Sequence, residues 1–78
     1  MEAIKYFNEK IEELQEDIEY YKDSIDSEKR TVNVSNGHIK IFHIRSLEKH
    51  VKECYEKIGF YRQAINALAG QNQIAEVA

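Results

Sequence analysis

Two strings of apolar residues, each stepping by three and four in strict alternation, constrain this chain more than any other feature. The first runs Ile4, Phe7, Ile11, Leu14, Ile18, Tyr21, Ile25. The second runs Ile44, Leu47, Val51, Cys54, Ile58, Tyr61, Ile65, Leu68. Alternation sustained over three or more heptads marks a coiled-coil seam. Each string predicts a helix of about 25 residues, roughly 37 Å long. The strings fit antiparallel. Ile25 then faces Leu47, Tyr21 faces Val51, Ile18 faces Cys54 and Leu14 faces Ile58. Ile11 faces Tyr61, Phe7 faces Ile65 and Ile4 faces Leu68. In that register Lys22 would lie beside Glu48 and Asp17 beside Lys57, exposed pairs worth about 0–1 kcal/mol each.

Between the strings the period changes. Thr31-Val32-Asn33-Val34 alternates, and so does Ile39-Lys40-Ile41. Asn36-Gly37 between β-branched runs is a strong hairpin signal, because a type I′ turn needs positive φ at both central residues. The expectation is a β-hairpin with Val32, Val34, Ile39 and Ile41 on its apolar face. Asn33, Lys40, Ser35 and His38 would lie on the other. A first helix continuing to about Val34 is the rival, disfavoured because Thr, Val and Asn are poor helix formers. Lys29 and Arg30 suit the end of the first helix. Ser46 suits the N-cap of the second, with Glu48 in its first turn, and Gly70 suits its C-terminal stop.

The expected fold is therefore mainly α: an antiparallel two-helix coiled-coil hairpin with a β-hairpin at the turn (α-β-β-α). One domain would span 1–70, and 71–78 would form a frayed C-terminal tail. The helix–ribbon–helix order, with Val32-x-Val34, Asn36-Gly37 and Ile39-x-Ile41 ahead of Ser46-Leu47, resembles the small head-completion proteins of tailed phages. The likeness covers about the middle third of the chain and implies that architecture. Helix lengths and the spacing from turn to second helix depart from the family.

Size then argues for self-association. A core below roughly 80 residues rarely supplies more than about 3–5 kcal/mol, and the chain has 78. One cysteine, Cys54, permits no internal disulfide and points to a reducing, cytoplasmic setting. A second copy is the remaining source of stability, so a dimer or higher homo-oligomer is expected. No basic and apolar leader is seen at Met1 to Lys10. No apolar run approaches the roughly 18 residues of a membrane span, so no membrane partner is expected. The net charge of −3 hides an asymmetry. Residues 1–28 hold ten acidic and three basic side chains, a net of −7. Residues 29–78 hold four acidic and eight basic, a net of +4.

Chemistry is sparse. His50 and Cys54 are four apart, and His38 and His43 lie near the turn, but the spacing matches no standard zinc site. Cys54 already has a seam position, where free cysteine acts as a small hydrophobe. No phosphate loop or nucleophile motif is present. No enzyme activity, cofactor or metal is expected. A nucleic-acid-binding protein is the second alternative; it would draw on Lys40, Arg45, Lys49, Lys52, Lys57 and Arg62, which accompany no recognised docking motif.

Surplus aromatic surface is the strongest functional signal. Tyr6, Tyr20 and Phe60 fall outside the seam, with Ala67 one heptad beyond Phe60. Gly59 in mid-helix costs about 1 kcal/mol relative to alanine, which suits close approach of another backbone. Tyr6, Tyr20, Gly59, Phe60 and Ala67 form the candidate self-association or partner face. The leading expectation is an adaptor or structural module acting as a homo-oligomer toward a protein partner. The alternative is a small, phage-type inhibitor that blocks a host protein or holds a small ligand between subunits through Lys40, His43, Arg45 and Tyr55.

Overall fold

The computed structural model describes the backbone of residues 2–77 and the side chains of residues 2–70. Two helices make up the fold, α1 (Glu2–Arg30) and α2 (Gly37–Val77), joined by a six-residue loop, 31–36. They form a helical hairpin within an envelope of 67 × 14 × 12 Å. Glu2 opens α1 and Lys29 and Arg30 close it, charges that complement the helix dipole at each end. Thr31 ends α1. Its N–H donates to the Glu28 carbonyl at 3.2 Å. Its hydroxyl donates to the carbonyls of Ser27 and Glu28 at 3.3 and 3.1 Å.

The core is the dried stripe between the helices. Ile11, Ile18, Cys54 and Ile58 form one buried cluster, with Leu14, Tyr61 and Ile65 packed against it. Ile25, Ile44 and Leu47 form a second. Tyr21 and Val51 touch both and join them. Ile4, Phe7 and Leu68 are half-buried toward the open end. Phe7 meets Tyr61 with ring centroids 5.5 Å apart. Among the described residues no side chain is fully dry, and Ile58 comes nearest at 4% exposed. That is what two helices alone can do, since each presents only one stripe to the other.

The β-hairpin is absent. Among the described residues there is no strand, and α2 begins at Gly37, nine positions before Ser46. Val32, Val34, Ile39 and Ile41 therefore share no ribbon face. The first two lie in the loop and the others on the first turns of α2, all exposed. Asn36 acts as the N-cap instead: its carbonyl accepts the Lys40 N–H at 3.0 Å, the first bond of the helix. Gly37 has negative φ, so no type I′ turn forms there. The physical reason is cooperative. A two-stranded ribbon is marginal in water, whereas extending a nucleated helix adds one hydrogen bond per residue. With the ribbon gone, the phage resemblance loses the motifs that carried it.

The ends also differ from expectation. Gly70 lies within α2 rather than at its end, and the helix backbone continues to Val77. The frayed-tail reading of 71–78 falls on residues whose side chains, together with all of Ala78, lie outside the described set. The flanking ion pairs do not form. Neither Lys22 and Glu48 nor Asp17 and Lys57 approach within 4 Å; Lys22 donates to the Tyr55 hydroxyl at 3.0 Å instead.

Candidate functional site

Three places on the hairpin carry features that folding alone does not require: one flank, the opposite groove, and the tip. Their positions follow from the heptad frame. In an antiparallel pair, residues just before the first seam position of each heptad meet across one flank. Residues just after the second meet across the other.

The first flank holds the exposed aromatic residues. Lys10 and His50 mark it. The Lys10 ammonium lies 5.4 Å from the Tyr6 ring centroid, and His50 stacks on Tyr21 at 5.3 Å. Tyr6, Tyr20, Phe60 and Ala67 occupy the same outward heptad position beside this flank. Tyr20 is 68% and Phe60 72% exposed. Tyr6 and Tyr20 lean edge-on against their seam neighbours Phe7 and Tyr21, each with centroids 5.7 Å apart. Gly59 adjoins Phe60, and a methyl group added at Gly59 would meet nothing within 4 Å. No packing within the chain requires glycine there.

The second flank is a groove of about 720 Å³, lined among others by Lys22, Ile25, Val51, Lys52 and Tyr55. Its polar centre is Lys22, which donates to Tyr55 and lies 5.6 Å from that ring's centroid. The Tyr55 hydrogen bond holds the Lys22 ammonium above the ordinary lysine value. The groove is open along its length and lies apart from the histidines.

At the tip the seam gives way to a polar cluster. Stepping on from Ile25 by three gives Glu28, and stepping back from Ile44 by four gives Lys40. The Glu28 carboxylate accepts from Lys40 Nζ at 3.0 Å and sits 3.2 Å from His43 Nδ1. Both sit partly screened, the Glu28 side chain 20% and Lys40 25% exposed. Lys40 foremost, and His43 after it, hold the Glu28 carboxyl below the usual carboxylate range. The loop beyond is tied by reciprocal bonds. Asn33 N–H donates to Asn36 Oδ1 at 2.9 Å and Asn36 N–H to Asn33 Oδ1 at 3.0 Å. Asn36 Nδ2 adds a bond to the Thr31 carbonyl at 3.2 Å.

The four residues read as ligand contacts therefore do not converge within one chain. Lys40 and His43 share Glu28, Arg45 is exposed, and Tyr55 belongs to the groove about 18 Å further along α2. His38, His43, His50 and Cys54 do not converge either. Among the described residues no three His, Cys, Asp or Glu side chains are placed to hold a metal ion. Cys54 is buried and free, and burial, with a smaller contribution from Asp17, pushes its thiol up. Among the described residues, Phe42 is the one large exposed side chain that the sequence pattern does not single out. Its signal was its place one helical turn after Ile39, once α2 is started at Gly37. Comparison with known protein families, curated proteins and solved structures finds no match.

Proposed function

We propose that this chain is a non-enzymatic assembly module that works as a homo-oligomer and presents its outer surfaces to another protein. The observation that carries the reading is the uncovered aromatic flank: Tyr6, Tyr20 and Phe60 stand exposed beside Ala67 and an unconstrained Gly59. Large aromatic residues dominate interface energetics when buried. A core with no fully dry side chain gives the monomer reason to use them. A second copy fits by charge. A two-fold axis along the rod sets each acidic α1 against the partner's basic α2 and completes a four-helix arrangement with both tips at one end. Buried, free Cys54 suits a reducing compartment such as the cytoplasm.

Sedimentation equilibrium tests this. The wild type should weigh a multiple of 9.2 kDa, and Phe60→Glu should shift it to a smaller species with helical circular dichroism intact. A wild-type mass of one chain at tens of micromolar, or an unchanged mass for Phe60→Glu, would refute the proposal. Gly59→Ala separates the two levels. It should stabilise an isolated helix by up to about 1 kcal/mol yet weaken the assembly if another backbone approaches there.

A further inference from the structure

We propose that the tip of the hairpin docks on an anionic lipid surface, with the rod standing out from it. The inference stands apart from the aromatic flank, which lies along the rod. Residues 29–47 contain no Asp or Glu, four Lys or Arg and two His. Within that stretch the loop and the first turns of α2 expose Val34 at 102%, Ile39 at 74% and Phe42 at 71%. Val32 and Ile41 are less exposed but also uncovered. The loop is not loose packing waiting to collapse: the Asn33–Asn36 bonds and the Asn36–Thr31 bond fix it with Val34 pointing away from the helices.

Geometry favours a lipid surface over a protein groove. These side chains lie on several sides of a narrow convex end rather than on one face. A fluid surface can surround such an end, whereas a groove meets only one side of it. Depth agrees. Ile39 and Phe42 lie within about 8 Å of the start of α2, and Arg45 about 12 Å along it. Interfacial segments bury apolar side chains about 5–10 Å into the boundary between headgroups and chains. Arg45, and Lys49 one turn on, would thus reach phosphate and carboxylate groups while Val34, Ile39 and Phe42 enter the boundary. Arg30 adds a cation from α1. None of Arg30, Arg45 and Lys49 has a carboxylate within 4 Å among the described residues. Lys40, by contrast, is engaged by Glu28. No described helix is long and apolar enough to cross a membrane, and a tip that lodges at the surface needs no span. That is why hydropathy along the sequence misses it.

Vesicle flotation of the full chain tests the proposal, using phosphatidylcholine alone and phosphatidylcholine with about a third phosphatidylserine. The wild type should float with the anionic vesicles and only weakly with the neutral ones, and high salt should release it. Phe42→Asp and Val34→Asp should each lower partitioning about ten-fold or more, since each withdraws a large apolar side chain and adds a like charge. Arg45→Gln should lower it roughly five-fold. All three positions are exposed, so circular dichroism should stay at wild type. Phe60→Glu, which probes the flank, should keep the preference for anionic vesicles, so either reading can fail alone. Two results would overturn the inference: no flotation with anionic vesicles, whether or not the native mass changes in Phe42→Asp, or equal flotation by the tip variants. No flotation together with a changed mass would make the tip a contact between copies.

Discussion

Replacing Ile58 by alanine removes three carbons from the best-buried side chain of the seam, which is 4% exposed. At about 0.8 kcal/mol per buried methylene-sized group the transfer loss is about 2.4 kcal/mol. A residual cavity would add to this, up to the 2–5 kcal/mol range seen for such truncations. In a two-helix sandwich the site opens toward solvent at its edges and can close, so the low end applies, about 2.5 kcal/mol. For a domain this size that lowers Tm by roughly 10–20 °C. Ile39→Ala is the matched control. Ile39 is exposed on the first turn of α2, and alanine is the better helix former, so its effect should be within about 0.5 kcal/mol of zero or stabilising. Thermal unfolding followed by circular dichroism at one fixed protein concentration measures both. A loss under about 1 kcal/mol at Ile58, or an equal loss at Ile39, would refute the assignment of core and tip.

Gly37→Ala should be neutral or stabilising by up to about 1 kcal/mol in urea unfolding, because Gly37 is helical and its added methyl meets nothing; a type I′ turn would make the same change destabilising. Glu28 has its folded pKa depressed by Lys40 and His43, so its contribution is present above the unfolded carboxylate value and is lost as pH falls through the lower folded value. The Tm difference between wild type and Glu28→Gln should accordingly shrink as pH drops below the ordinary carboxylate range, and a difference independent of pH would contradict the tip cluster. Cys54 should react slowly with a thiol reagent at mildly alkaline pH and rapidly once urea unfolds the protein, because it is buried and its thiol is held protonated.

The seam was legible because seven layers of alternation repeat one instruction in both halves of the chain. Ile11, Ile18, Ile25, Ile44, Leu47, Cys54 and Ile58 are the described residues the helices bury. The turn misled because its local signals are degenerate. Asn36-Gly37 reads as a hairpin tip, yet Asn36 is equally a good N-cap, and Gly37 takes the first helical position at negative φ. Ile39 and Ile41 alternate as a strand would, yet both are exposed on α2, whereas Ile44 is buried. A resolving signal lay one step past each string: Glu28 falls opposite Ile44 in the register, and Lys40, one turn before Ile44 on α2, reaches Glu28 as a charge pair. A β-strand has no use for that complementarity, whereas an extended helical seam does. The surface was less legible. Tyr6, Tyr20 and Phe60 stand out against the heptads, but Phe42 gains meaning only once α2 starts at Gly37.

A distance between the two helices tests the central claim most directly. Spin labels at exposed Glu16 and Glu56, in a Cys54→Ala background diluted with unlabelled chain, report only the intramolecular separation. Helices 8–10 Å apart, each bearing an outward label, place the pair roughly 20–35 Å apart if the chain folds back through residues 31–36. One uninterrupted helix would hold them about 60 Å apart, and that result would contradict the hairpin and every surface assigned on it.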